Sequence, residues 1–138
     1  MMLNRRKEKA LERQERKVRR TEREDAAGKL LLKAPDLTSL NMTVTETRKE
    51  GCVTDTQHIK RFVLEHAPAL FELACSDPYC EDGGYDITRE VLRSLSLRQE
   101  TFEAEQDCAG RCGAIDCGRH VRVVVTATYR EARPHTSL

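Results

Sequence analysis

The sequence has no tryptophan, and three phenylalanines and three tyrosines are its whole aromatic supply in 138 residues. Large side chains do much of the work of a core, so a body of roughly 100 residues with so few of them gains from an added staple. Long hydrophobic runs are missing too. Val123-Val124-Val125 is far too short to cross a bilayer, which argues against a membrane partner. Arg5-Arg6-Lys7 near the start leads into more charge with no apolar segment of the kind a secretory signal needs. The expected location is therefore cytoplasmic, where thiols stay reduced and metal ligation is favoured over disulfides. There is no glycine-rich phosphate loop, nucleophile elbow or HExxH helix, and His58, His66 and His135 have no neighbour at ligand spacing. Together these absences point away from an enzyme and from a small-molecule substrate.

Glycine and proline are also absent before Gly28, and that stretch is rich in helix formers. Residues 1–33 carry twelve Lys/Arg against six Asp/Glu, about +6, while the remainder is about −5, so the overall +1 hides a basic arm on a mildly acidic body. Glu12 with Arg16 and Glu15 with Arg19 are well-oriented i,i+4 pairs. Leu3, Ala10, Leu11 and Val18 are nearly the whole apolar supply, about half of what a coiled-coil seam requires. The arm, residues 1–34, is expected to be a solvated helix. Arg5, Arg6, Arg13, Arg16, Arg19, Arg20 and Arg23 make nucleic acid phosphates a candidate partner, alone or in a ribonucleoprotein. Without interleaved aromatics the arm lacks the stacking signature of single-strand binders. The plainer readings are a solubilising tail or a helix that docks on an acidic protein partner.

The body, residues 35–133, reads as α+β: a small antiparallel sheet of four or five strands, one packed helix and a cysteine knuckle at one end. Leu40, Met42 and Val44 alternate with polar residues as in a half-buried strand. Lys49-Glu50-Gly51 is a turn, residues 57–64 form a second strand, and Leu70 to Ala74, leading into Cys75, suits a short strand, with a short helix started by Pro68 as the alternative. Asp86 is a good N-cap for a helix running to about Leu97, with Ile87, Val91 and Leu95 on one face. Phe102 and Ala104 then alternate with Glu103 and Glu105, and Val121, Val123, Val125, Ala127 and Tyr129 line one face of the clearest strand. A hairpin register that satisfies both faces sets Phe102 opposite Val125, Ala104 opposite Val123 and Glu105 against Arg122. The tail, residues 134–138, is expected to fray.

Five of the six cysteines fall between positions 75 and 117, as Cys75-x4-Cys80 and Cys108-x3-Cys112-x4-Cys117. Two thiol clusters a few tens of residues apart are a usual layout for a small zinc site, which takes four tetrahedral ligands. Cys75 and Cys80 supply one half. Cys108 and Cys117, at facing ends of the hairpin, supply the other, with Cys112 at the loop tip as the alternative second partner and His120 as a further nitrogen donor. The x4 spacing is looser than the CxxC of zinc ribbons. Cys52, far from the others, reads as an isolated thiol, and Cys108, Cys112 and Cys117 could instead serve as a thiol redox sensor. Asp77, Glu81, Asp82 and Asp86 surround the first pair, yet four thiolates leave no open metal position, and such carboxylates are usually turn and cap residues.

The string Cys75-Ser-Asp-Pro-Tyr-Cys80-Glu-Asp-Gly-Gly-Tyr-Asp86, a helix, and Cys108 to Cys117 between strands resembles small bacterial cysteine-motif, zinc-knuckle-like proteins that carry no named activity. The resemblance spans roughly residues 37–130 and implies a shared metal-knuckle fold. The expected function is a non-enzymatic, zinc-stabilised binding module.

Overall fold

The computed structural model describes residues 2–48 and 54–131. The turn expected at Lys49-Glu50-Gly51, together with Cys52, His135 and the 134–138 tail, lies outside the described residues. In chain order the elements are α1 (Met2–Ala27), α2 (Leu30–Lys33), β1 (Leu37–Arg48), β2 (Thr54–Arg61), β3 (Glu72–Leu73), β4 (Tyr85–Asp86), α3 (Thr88–Ser96), β5 (Thr101–Asp107), β6 (Arg111–Cys112), β7 (Ile115–Asp116) and β8 (Arg119–Tyr129). The architecture is α+β. Four antiparallel strands form one sheet in the order β2-β1-β8-β5, and β3-β4 and β6-β7 form two small ribbons.

Alternation along the strands decides what faces inward. Leu40, Met42 and Val44 from β1, Val121, Val123, Val125 and Ala127 from β8, and Phe102 and Ala104 from β5 are all buried in one cluster. Ile87, Val91 and Leu95 cover it as expected, although the helix itself starts at Thr88. Asp86 stands one residue before the N-cap, Ile87, and its Oδ1 accepts the Thr88 N–H at 3.0 Å, so it caps from one position further out. The hairpin register is the expected one: Phe102 faces Val125, Ala104 faces Val123 and Glu105 faces Arg122. The charge pairing on the outer face is diagonal instead. Arg122 Nη2 meets Glu103 Oε1 at 2.6 Å, and Glu105 lies 3.7 Å from His120 Nε2. A long arginine reaches a diagonal neighbour as easily as the one opposite.

Two further expectations shift. The second strand ends at Arg61, and Phe62 leaves the sheet to set its ring edge-on against Phe71, with centroids 5.6 Å apart. Of Leu70–Ala74 only Glu72 and Leu73 are strand, paired with Asp86 and Tyr85. The arm joins the body through Gly28, whose φ of +77° ends α1 in a conformation that suits glycine. Gly28 C=O accepts from Ala69 N–H at 2.8 Å, and Leu30 N–H donates to Ala67 C=O at 2.9 Å. Leu30 is fully buried, so the core reaches back into the last residues of the 1–34 segment.

At one end of the sheet the inward face turns polar. The period of β1 that buries Leu40, Met42 and Val44 also buries Glu46, and that of β8 buries Arg119. Glu46 Oε2 accepts the Tyr85 hydroxyl at 2.7 Å and the Ser76 N–H at 3.2 Å, and Arg119 lies 4.0 Å from Glu46 and 4.0 Å from Asp77. Burial and then the Glu46 carboxylate push the Tyr85 phenol up, so it remains a donor. These groups fasten the cysteine loop to the sheet. Tyr85→Phe should cost about 1.5–3 kcal/mol, the worth of a hydrogen bond to a charged group. Glu46→Leu should cost more, about 3–5 kcal/mol, because it strips a carboxylate from a buried arginine. Denaturant midpoints of the two variants give the comparison; equal stability to wild type would show that the polar end is not a fastening.

Candidate metal centre

Four thiols converge at the polar end of the sheet. Cys75 and Cys80 lie on the loop between β3 and β4, while Cys108 follows β5 and Cys117 precedes β8. Pairing of Leu73 with Tyr85 closes the first loop. The second closes where Cys108 N–H donates to Arg119 C=O at 2.9 Å and Cys117 N–H to Gly110 C=O at 3.0 Å. A reciprocal pair of backbone bonds, Glu81 N–H to Arg111 C=O at 2.8 Å and Arg111 N–H to Glu81 C=O at 3.0 Å, then ties loop to loop. The knuckle is thus built on backbone hydrogen bonds, and the thiols are carried inward by it.

The Sγ atoms of Cys75, Cys80, Cys108 and Cys117 all lie within 4.8 Å of one another, a cluster close enough to bind a metal ion. Cys75 and Cys117 are 3.6 Å apart, as are Cys80 and Cys108. Tetrahedral thiolates with metal–sulfur bonds of about 2.3 Å have S···S edges of about 3.8 Å. The spacing fits such an ion and is far longer than the S–S bond of about 2.05 Å in a disulfide. All five described cysteines are free thiols. Cys108 also accepts the N–H groups of Gly84 at 3.3 Å and Gly110 at 3.4 Å, the outer support a thiolate ligand needs.

The electrostatics agree with that division of labour. Burial, with neighbouring thiols adding to it, pushes the Cys75 thiol up to about 12 and Cys80 up as well. Burial pushes Cys108 up too, but the Gly84 and Gly110 N–H donors together with the Cys80 and Cys75 thiols hold it below the ordinary thiol range. Two thiols that resist ionisation beside one that accepts it favour proton retention without a cation, and a dication would reverse the preference.

The other candidate residues fall as follows. Cys112 stands outside the four-sulfur group; its thiol donates to Asp77 Oδ2 at 3.4 Å, and burial followed by that carboxylate pushes it up to about 11. His120 turns away from the sulfurs to Asp107, 2.8 Å from Nδ1. Neither His58 nor His66 belongs to any group of donors at metal spacing among the described residues. Arg5, Arg6, Arg13, Arg16, Arg19, Arg20 and Arg23 are exposed along α1. Arg23 grips Glu72 with two bonds of 2.8 Å, and Arg20 pairs with Glu24 at 3.1 Å.

Sequence reasoning missed the glycines. Gly83 reads as a turn residue, yet a Cβ there would overlap Cys80 Sγ and come within 2.9 Å of Cys108 Sγ. At Gly110 a Cβ would overlap the same sulfur and lie 2.7 Å from Gly83 N. The loops approach so closely that neither tolerates a side chain, and Gly-Gly at one loop with Cys-x-Gly at the other was the available signal. Gly83→Ala and Gly110→Ala should each cost about 1–3 kcal/mol through overpacking and lower metal retention; undisturbed metal content in both, measured by elemental analysis, would refute the close approach.

No family model, curated protein or solved structure matches this chain.

Proposed function

We propose that this chain is a non-enzymatic binding module held together by zinc at Cys75, Cys80, Cys108 and Cys117, and that it contacts nucleic acid or a ribonucleoprotein through its basic arm. The observation that carries the proposal is the set of four sulfurs all within 4.8 Å of one another, two pairs of them at 3.6 Å. A site of four thiolates takes zinc or iron, and four protein ligands leave no position for substrate. Zinc there joins two loops that are remote in sequence, a structural role.

The arm is supported by where its arginines lie. Arg16, Arg19, Arg20 and Arg23 form one wall of an open cleft of about 590 Å³ whose other wall includes Cys75 and Asp82. Arg13 and Arg19 make no ion pair among the described residues, so they are available to phosphates. One observation favours the second reading, an adaptor whose arm docks on a protein: Leu11 and Val18, two turns apart on α1, are 58% and 50% exposed.

Protein purified under reducing conditions without a metal-affinity tag should carry at least one zinc per chain. Cys80→Ser should lose it, and chelation should lower the unfolding temperature. Restoring zinc at a thousandfold excess over its Kd should return about 4 kcal/mol. Absence of zinc, with every thiol freely reactive, would defeat the module. For the arm, Arg16→Ala with Arg19→Ala should weaken binding to RNA or DNA and flatten its salt dependence by about one unit of slope per lost contact. Unchanged binding in that variant would rule out the arm as the interface. Capture of a defined protein after nuclease treatment would select the adaptor.

A further inference from the structure

A second set of donors lies against the first. Cys112 Sγ, Cys117 Sγ and a carboxylate oxygen of Asp77 are all within 4.8 Å of one another, and Cys117 belongs to both sets. Each of the three is half-buried. Their placement follows from local structure. The β6-β7 ribbon pairs Cys112 with Ile115 and Arg111 with Asp116, which brings Cys112 back beside Cys117. Asp77 Oδ1 accepts the Tyr79 N–H at 2.9 Å, and this fixes the carboxylate with Oδ2 toward Cys112, 3.4 Å from its sulfur.

We propose that the centre is binuclear: a second thiophilic dication is held by Asp77, Cys112 and the Cys117 thiolate, which bridges the two ions. The inference rests on the first site being a metal site. Thiolate and carboxylate are both ordinary zinc ligands, with bonds of about 2.3 and about 2.1 Å; at a tetrahedral angle these give an O···S edge of about 3.6 Å, close to the separation found here. Charge balance points the same way. One dication with four thiolates carries −2, and ionised Cys112 and Asp77 add two more negative charges, which the second dication cancels. Arg119, 4.0 Å from both Asp77 and Glu46, offsets part of what remains. With three protein donors the second ion keeps a fourth position for water or an exogenous ligand, unlike the closed four-sulfur site. The bland alternative is a thiol that merely donates to Asp77, with Cys112 left free for chemistry.

The two are separated by titrating the reduced, metal-free full-length chain with cobalt(II), followed by thiolate-to-cobalt absorption and by electron paramagnetic resonance. The proposal expects two equivalents. The first raises the resonance signal, and the second lowers it because a bridging thiolate couples the two spins. Cys112→Ser and Asp77→Asn should each take up one equivalent and keep the uncoupled signal. The amide oxygen of Asn preserves the acceptor for Tyr79 N–H, so that variant tests the ligand without removing the turn. Uptake of a single equivalent by wild type, with Cys112 alkylated in the presence of metal, would overturn the second site and leave the first intact. A second equivalent that persists in both variants would overturn it as well. No uptake at all would instead defeat the four-cysteine site and the binuclear centre with it.

Discussion

Four sulfurs within 4.8 Å of one another constrain the body more than any other contact. Cys75 and Cys117 are 42 positions apart, and Cys80 and Cys108 are 28 apart, so each contact closes a long loop. Closing such loops costs chain entropy that grows only slowly with length, and an ion bound by all four sulfurs would offset it in a single place. The hydrophobic core cannot do so, because the buried cluster stops at Val44 and Val121 on the two central strands. Beyond that point the sheet contributes backbone ladders and polar side chains. The cysteine cluster takes over where the core ends.

Between core and cluster lies the Glu46–Tyr85–Arg119–Asp77 group. Its geometry explains how a sheet with an acidic residue on its inner face remains stable. Glu46 accepts from Tyr85 and Ser76 and pairs with Arg119 at 4.0 Å, so a buried carboxylate is satisfied largely by groups beside the knuckle. Asp77 continues the chain to Tyr79 and Cys112. Buried charge of this kind adds little net stability, but removing one member strands the others, which ties the position of the loop to the inner face of the sheet. The sulfurs are thereby placed by the sheet as well as by their own loops.

Much of this was legible in the sequence, and the reason differs by element. The β5-β8 hairpin was legible because both strands alternate, and the observed register, Phe102 opposite Val125 and Ala104 opposite Val123, is one that keeps both faces consistent. Helix α3 followed from Ile87, Val91 and Leu95 at one-turn intervals. Leu70–Ala74 was too short for periodicity, and its two strand residues are fixed by a partner, β4, that has no pattern of its own. Glu46 was missed because a glutamate on a strand is ordinarily placed outside; strict continuation of the Leu40-Met42-Val44 period would have put it inside. Gly83 and Gly110 were hidden for another reason: a turn glycine and a glycine under a neighbouring sulfur look identical until both loops are in place.

The arm obeys different physics from the body. A helix of 26 residues is about 39 Å long, and its described side chains are exposed almost throughout. An amphipathic helix draws most of its stability from a buried face, and this one has none, so propensity and local charge pairs such as Arg20–Glu24 must hold it. Its attachment is nevertheless specific. The two-bond grip of Arg23 on Glu72 lands on β3, the strand that enters the cysteine loop, and the Gly28–Ala69 and Leu30–Ala67 bonds secure the helix end. A tail serving only solubility gains nothing from a bidentate ion pair beside the knuckle. The contact sets one row of arginines against the cysteine loop, so the basic face of the arm and the cysteine knuckle line the same cleft.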